Sequence, residues 1–247
     1  MSELSNRVAT DMMVRIIKDG QENQPLLNEA ELCTMYGVSR VVIREAKKRL
    51  QALGMVQSRK KTGSHITPRI NWNFFNQNLF DVYLEHSGRA SEHMEDYFTM
   101  RLLIEPHLAA QVATSHTPEF ARTISQITKD MADALNEGDD QKWLHSDLKY
   151  HISLYQESGN VLVLPLANLM RPLFLRGFAS AHAAWPASQI RHRQLTEAIL
   201  DNDADQAFHY TRLIIRGGHE DYLTYGEPTI DPAGVLGRAD AQDDEDE

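Results

Sequence analysis

The sequence has a single cysteine, Cys33, and no long apolar run. One cysteine excludes an internal disulfide and a zinc site built from several thiolates. The most apolar stretch, residues 161–170, is only ten residues long and contains Asn168, which is too short for a membrane-spanning helix. The first residues, MSELSNRVATDMM, lack the basic-then-apolar order of a secretion signal. These absences predict a protein of the reducing cytoplasm with no membrane partner.

Positive charge is also scarce, because 25 Lys and Arg stand against 35 Asp and Glu in 247 residues, giving a net charge of −10. The positive residues are unevenly distributed. Residues 1–70 carry 12 Lys and Arg against 7 Asp and Glu, whereas residues 71–247 carry 13 against 28. This asymmetry indicates two domains with different partners, of which the first suits a polyanion and the second repels one.

Apolar spacing predicts a mainly α protein. A helix is predicted over residues 3–19, a short second helix opens with Asn28 as N-cap, and a third opens at Ser39 and ends near Leu53. Two short strands are predicted at 55–58 and 64–67, around the turn RKKTG. Long helices fill the rest of the chain, near 74–86, 91–115, 118–137, 140–157, 160–182, 188–202 and 204–225. The predicted domains are an N-terminal winged helix-turn-helix domain at 1–69, a C-terminal all-α helical bundle at 70–226 and an acidic disordered tail at 227–247.

The predicted helix after Ser39 has an apolar face and a basic face. The short helix before it and the wing after it complete a winged helix-turn-helix, whose second helix can enter the major groove of duplex DNA. A basic helix face is usually only solvated. The helix-turn-helix spacing, the wing and the confinement of positive charge to this region together favour DNA as the partner. The alternative is an interaction module that meets an acidic protein.

The segments LLNEAELC, GVSRVVIREAKKRLQALGMV and KKTGSHI resemble the winged-helix domain of GntR-family bacterial regulators. One position departs from the family pattern, because Ala30 stands where an arginine is usual. The basic face and the wing add Lys48 and Lys61 as contacts to DNA. The DNA contacts that the resemblance implies are Ser39, Arg40, Val41, Val42, Arg44, Gly63 and His65.

The segments RLLIEPHLAA, DLKYHISLYQESGN and HRQLTEAILDNDADQA resemble the all-α ligand-binding FCD domain of the FadR-type subgroup. NWNFFNQNLFDVYLE resembles regulators of sugar-acid catabolism, including galactonate-type repressors. The resemblance implies a ligand-responsive transcriptional repressor rather than an enzyme. It also implies a homodimer that binds an inverted-repeat operator and responds to a small carboxylate such as a sugar acid.

Asp147 and His151 are four residues apart, so they share one face of a predicted helix. Such a pair is most often an ordinary hydrogen bond. The resemblance implies that these two residues and His192 surround a divalent metal, zinc or a similar ion, with Ile214 in place of the usual fourth ligand. Two interpretations stay open: a metal site with three protein ligands, or a pocket that binds its ligand without metal.

Arg101 matches a family arginine that faces the same cavity, and a guanidinium is suited to binding a carboxylate. The alternative for this residue is a salt bridge with Glu105, one turn further on. A different function is also conceivable, namely a metal-dependent hydrolase, although no nucleophile or general base stands out beside the three candidate metal ligands. The predicted effector-binding residues are Arg101, Asp147, His151 and His192. Trp185 and Arg176 are further candidates to line the pocket, whereas Trp143 is expected in the core.

Overall fold

A computed structural model of the protein describes residues 3–60, 62–178 and 185–225, apart from the side chains of residues 175–178 and 225. Lys61 and the tail predicted at residues 227–247 therefore lie outside the described residues. The chain divides into two compact units, Met1–Ala90 and Ser91–Glu247.

The N-terminal unit contains three helices, a two-stranded wing and a fourth helix. The strands are antiparallel and pair Val56 with Ile66 at one end and Arg59 with Gly63 at the other. This is the winged helix-turn-helix that the sequence predicted. The elements are α1 (Glu3–Asp19), α2 (Glu29–Tyr36), α3 (Arg40–Ala52), β1 (Val56–Arg59), β2 (Gly63–Ile66) and α4 (Gln77–His86).

Local signals fix the helix-turn-helix geometry. The side chain of Asn28 accepts hydrogen bonds from the backbone N–H groups of Ala30 and Glu31, and the carboxylate of Glu31 accepts one from the backbone of Asn28. This capping box starts α2 at the predicted residue. Gly37 ends α2 in the left-handed conformation, with a φ of 63°, which favours glycine. Ser39 is the N-cap residue of α3, although its side chain makes no capping hydrogen bond.

The N-terminal core buries the apolar face of α3, including Ile43 and Leu50, against α1. Leu79 and Tyr83 of α4 belong to the same core, since α4 packs on α1. Because of these contacts the compact unit ends at Ala90, whereas the domain boundary predicted from the sequence fell between residues 69 and 70. The difference is the segment that carries α4.

The C-terminal unit is built from helices, and none of its described residues forms a strand. Helix α6 (Pro118–Glu137) packs against α7 (Asp140–Glu157) and α9 (Trp185–Leu200). Helix α9 also packs against α10 (Ala204–Tyr225), and α8 (Leu164–Phe178) packs against α7. The mainly α fold class is confirmed. No helix in residues 3–60, 62–178 or 185–225 is long and apolar enough to cross a membrane. The elements are α5 (Ala90–Ser115), α6 (Pro118–Glu137), α7 (Asp140–Glu157), α8 (Leu164–Phe178), α9 (Trp185–Leu200) and α10 (Ala204–Tyr225).

Buried hydroxyl groups join three of these helices. The Oγ1 atom of Thr196 on α9 lies 2.7 Å from Oγ1 of Thr128 on α6 and 2.9 Å from the hydroxyl of Tyr150 on α7. Thr128 also donates to the carbonyl of Ile124 within its own helix. A connected network of this kind satisfies polar groups that water cannot reach and fixes how the helices sit on one another.

Candidate functional site

The outer face of α3 is open to solvent. Ser39 and Arg40 are exposed, and Val41 is 70% exposed although it is apolar. The side chains of Arg44 and Lys48 are 63% and 71% exposed. A helix that buries one face and presents arginine, lysine and a small apolar residue on the other can offer hydrogen-bond donors and a methyl contact to base edges.

The remaining predicted DNA contacts differ in exposure. Val42 is half-buried and packs against the N-terminal core. Gly63 is exposed at the start of β2, with a φ of 84°. His65 is half-buried opposite Gln57 in the wing, and its Nδ1 atom has no hydrogen-bond partner among the described residues. Lys61 cannot be placed, because it lies outside those residues.

Two of the exposed basic residues already have acidic neighbours. Arg44 donates from Nε to Oε2 of Glu29 at 3.0 Å, and Nζ of Lys47 lies 4.0 Å from the other oxygen of Glu29. Lys48 donates to Oε1 of Glu45, also at 3.0 Å. The sequence pattern gave no sign of the contact between Glu29 and Arg44, since the two residues lie on different helices.

A second cluster lies inside the C-terminal unit. Asp147 and His151 come from successive turns of α7, and His192 comes from α9. Oδ1 of Asp147 is 2.9 Å from Nε2 of His192 and 3.5 Å from Nε2 of His151, and the two Nε2 atoms are 3.4 Å apart. The histidines are 1% and 0% exposed. The structure thus brings together the three residues that the sequence proposed as metal ligands.

The outer nitrogens of both histidines face hydrogen-bond acceptors. Nδ1 of His192 is 2.9 Å from the carbonyl oxygen of Ser188. Nδ1 of His151 is 2.8 Å from Oε2 of Glu105, a close electrostatic contact that lacks the angles of a hydrogen bond. A carbonyl or carboxylate oxygen can only accept, so a proton on each Nδ1 is favoured. In the neutral rings the two Nε2 lone pairs then face each other and Asp147. Metal-binding histidines are oriented in this way by carbonyl and carboxylate neighbours.

The three inner atoms fit a divalent cation. Donors that share one ion lie about 2.0–2.2 Å from it, so neighbouring donors are about 3.0–3.5 Å apart, as the three atoms are here. Oδ1 of Asp147 is buried and none of its contacts has the angles of a hydrogen bond. Three electron-pair donors in contact repel one another unless a proton or a cation lies among them. The donor set of one carboxylate and two imidazoles suits zinc or a similar ion.

Arg101 of α5 lies beside this cluster and is paired with Glu105. Its Nε and Nη2 atoms donate to the two carboxylate oxygens of Glu105 at 2.7 and 3.1 Å, and both residues are buried. Burial by itself would raise the pKa of Glu105, but Arg101 and then His151 lower it to about 2. The salt bridge with Glu105, which was the alternative role for Arg101, is therefore present. The contact of Glu105 with His151 was not predicted from the sequence.

Electrostatics inside the cluster favour an added positive charge. Burial would raise the pKa of Asp147, but the two histidines lower it well below its ordinary range. Burial and Arg101 lower the pKa of His151, yet the carboxylates of Glu105 and Asp147 outweigh them and raise it. With neutral histidines, Arg101 and Glu105 cancel and Asp147 leaves one buried negative charge, which a cation or a proton can neutralise.

A small cavity of about 20 Å³ adjoins the cluster. Ile214 of α10, at the sequence position where the resemblance implies a fourth ligand, lies in its wall. The buried indoles of Trp143 and Trp185 stack at 4.6 Å between ring centroids and form part of the same wall. Trp143 was expected to be a core residue and it is one, and Trp185 was expected at the pocket. The side chain of Arg176, also expected there, lies outside the described residues. The described lining is Arg101, Trp143, Asp147, His151, Trp185, Ser188, Ile214, Gly218 and Asp221.

Comparisons with known proteins assign both halves of the chain to families. Residues 4–66 match the family model for bacterial regulatory proteins of the gntR family. Residues 96–217 match the model of the FCD domain. Together the two matches cover about three quarters of the chain. The first match includes α3 and the wing. The second includes Asp147, His151 and His192 of the buried cluster.

Individual relatives agree with this assignment. The chain is 28% identical to the HTH-type transcriptional regulator YieP of Escherichia coli over 214 residues, which are 86% of this chain and 93% of that protein. It is 28% identical to the galactonate operon transcriptional repressor of Escherichia coli over 189 residues, 74% of this chain and 80% of that protein. The solved structure of a Streptococcus agalactiae GntR protein shares the fold, with a TM-score of 0.52 and 23% identity over 87% of this chain and 99% of that one. The chain therefore belongs to the GntR family of bacterial transcriptional regulators, with a winged helix-turn-helix domain followed by an FCD domain.

Proposed function

We propose that this regulator is a cytoplasmic repressor that binds an inverted-repeat operator as a homodimer and is controlled by a small carboxylate. The observation that carries the proposal is the exposed face of α3, where Arg40, Val41, Arg44 and Lys48 stand next to the wing. One recognition helix covers too few base pairs for specificity in a genome. A twofold dimer places two such helices on two half-sites and requires an inverted repeat.

The DNA assignment is tested with Arg40→Ala and Arg44→Ala. Each substitution is expected to weaken binding to the operator by about 1–3 kcal/mol, the usual contribution of a base-reading arginine. Arg193→Ala is the matched control, because Arg193 is an exposed arginine in the C-terminal unit. Titrations of duplex DNA selected by the wild-type protein give the affinities. Unchanged affinity in both α3 variants would remove α3 from the interface.

The homodimer is tested separately by sedimentation. We expect a dimer at micromolar concentration, and a single dimer on a duplex that contains both half-sites. A protein that sediments as a monomer with and without operator DNA would contradict this part of the proposal while leaving the α3 assignment intact.

We place the effector in the FCD domain, beside the buried cluster. Its carboxylate would meet the positive side of the site, where Asp147, His151 and His192 would hold a divalent cation and Arg101 lies next to them. The cation would supply positive charge and open coordination positions. Ser188 and Asp221 in the cavity wall offer acceptors for hydroxyl groups, which favours a hydroxylated acid. The relative named as the galactonate operon repressor supports a sugar acid as the effector.

The size of the cavity sets a condition on the effector. A volume of about 20 Å³ holds roughly one water molecule or one ion, so a sugar acid can enter only if the wall moves. Trp143 and Trp185 lie in that wall, and their fluorescence should change on binding. Titration with galactonate, gluconate and lactate, in a Trp72→Phe background that removes the third indole, tests this. His192→Ala should still bind the operator but lose its response to the acid.

The alternative of a metal-dependent hydrolase gains no support from the comparisons, since the gntR family match and the named relatives are regulators. In the proposed regulator, Asp147, His151 and His192 take part in binding the effector instead of in catalysis. The ligand controls DNA affinity only if it binds one arrangement of the protein more tightly than the other. An operator-binding assay with and without the acid therefore measures the function directly.

A further inference from the structure

The ion pair between Glu29 and Arg44 joins the two helices of the helix-turn-helix. Nε of Arg44 donates to Oε2 of Glu29 at 3.0 Å. The side chain of Arg44 is 63% exposed and that of Glu29 is 32% exposed. Among the described residues, the two terminal nitrogens of Arg44 make no hydrogen bond to a protein atom. The pair therefore engages Nε of Arg44 and leaves both terminal nitrogens of this exposed side chain available to another acceptor.

The backbone around Glu29 is held firmly. Glu29 is the first residue of α2, between Asn28 and Ala30 of the capping box. The carboxylate of Glu31 is engaged by the backbone of Asn28, so the two acidic residues of this turn have different partners. Gly37 ends α2 three residues before α3 begins. The distance between Glu29 and Arg44 is thus set by two rigid helices rather than by a flexible loop.

We propose that Glu29 is a positioning residue that orients Arg44 for bidentate recognition of a guanine. The proposal rests on the proposed DNA-binding function of α3. Guanine presents two acceptors, O6 and N7, in the major groove, and the paired terminal nitrogens of an arginine match them. A long arginine side chain loses rotamer entropy when it is fixed on a base. Glu29 fixes Nε in advance, which reduces that loss.

If Glu29 is only an exposed ion-pair partner of Arg44, its removal should have the opposite effect on operator affinity. Exposed ion pairs contribute little to stability, and a carboxylate near DNA repels phosphates. If Glu29 did nothing else, its removal would tighten binding to every duplex. If Glu29 positions Arg44, its removal weakens binding to the operator and tightens binding to unrelated DNA. The ratio of the two affinities separates these roles.

The experiment compares two substitutions of Glu29 with a matched control. Glu29→Ala removes the acceptor, whereas Glu29→Gln keeps an oxygen that can accept from Nε but removes the charge. Glu45→Ala is the control, because Glu45 is similarly exposed and pairs with Lys48 at 3.0 Å without touching Arg44. The probes are a duplex selected from a random library by the wild-type protein and an unrelated duplex of equal length. Thermal melting verifies that every variant is folded.

We expect Glu29→Ala to bind the selected duplex roughly three- to tenfold more weakly and the unrelated duplex more tightly, because one bidentate contact is impaired. Glu29→Gln should lose less, and Glu45→Ala should tighten binding to both probes. In an Arg44→Ala background, Glu29→Ala should cause no further loss of specificity. If Glu29→Ala tightens both probes as Glu45→Ala does, the positioning role is overturned while DNA binding stands. If Arg44→Ala itself leaves the selected duplex unaffected, the assignment of Arg44 fails as well.

Discussion

Arg101 and Glu105 carry opposite charges in the interior of the C-terminal unit, with almost no access to water. Two hydrogen bonds join them, and Glu105 also lies 2.8 Å from Nδ1 of His151. A buried charge pair adds little net stability compared with apolar residues, yet it becomes costly when one partner is removed. Glu105 thereby ties the stability of the domain to the orientation of a candidate metal ligand.

The first prediction concerns this pair. Glu105→Gln should lower the free energy of unfolding by about 3–5 kcal/mol, because the buried guanidinium of Arg101 loses its counter-charge. Denaturant unfolding, followed by the fluorescence of Trp143 and Trp185, measures the change. Glu197→Gln is the control, since Glu197 pairs with Arg193 at the surface and should change stability by less than about 0.5 kcal/mol. Equal losses in both variants would mean that the Arg101 pair is not desolvated in solution.

The same pair predicts a dependence on pH. Burial alone would raise the pKa of Glu105, but Arg101 and His151 lower it to about 2. A lowered carboxyl pKa contributes stability above the ordinary value of about 4.3, and that contribution is lost as the pH falls toward the lowered value. The C-terminal unit should therefore lose stability from about pH 4.5 down to about pH 2, and the decline should be shallower in Glu105→Gln. A decline of equal slope in both proteins would assign it to other carboxylates.

Single residues of the site were predictable to different degrees. Asp147 and His151 lie one turn apart in the sequence, so helical spacing alone places them together. His192 joins them from another helix, and only the family resemblance indicated it. The contact of Glu105 with His151 spans 46 positions and two helices. Neither periodicity nor composition reports such a contact, because it depends on how α5 and α7 pack.

Helices and strands were largely predictable because their ends carry local signals. The bounds predicted for α1, α6, α7 and α10 agree with the structure. The wing strands were predicted at 55–58 and 64–67 but run from Val56 to Arg59 and from Gly63 to Ile66, since the cross-strand ladder and the turn set their ends. Helix α9 was predicted to begin near residue 188. It begins at Trp185, which stacks on Trp143, and sequence periodicity carries no signal for that tertiary contact.

The hydroxyl network between α6, α7 and α9 is expected to stabilise the packing of these three helices. Thr196→Val keeps the size of the side chain but removes the group that contacts Thr128 and Tyr150. The hydroxyl of Tyr150 is then buried without its partner, which should lower the free energy of unfolding by about 1–3 kcal/mol. Thr123→Val is the control, because Thr123 is exposed and its hydroxyl donates to the carbonyl of Glu119 within the same helix. A loss no greater than that of the control would show that the network adds nothing to helix packing.

The whole molecule combines a basic N-terminal unit with an acidic C-terminal one, and sequence charge alone predicted this division of roles. If the buried cluster takes a divalent ion, that ion should stabilise only the C-terminal unit. Zinc at one hundred times its dissociation constant should add about 2.7 kcal/mol to the free energy of unfolding, and a chelator should reverse the gain.

Calorimetry of the full chain with and without zinc measures this effect. His192→Ala should lose most of the gain. His209→Ala should keep it, since His209 is exposed on α10 and is not part of the cluster. A gain of equal size in both variants would place the ion elsewhere and leave the pocket without a metal.

Ile214 gives the cluster a character that a full set of four ligands would not have. Each protein ligand slows the escape of a bound ion, so a site with three releases its ion more readily than a site with four. Occupancy would then rise and fall with the supply of metal in the cell instead of remaining constant. A regulator built in this way would report two conditions at once, because its response to a carboxylate would fade whenever the ion became scarce.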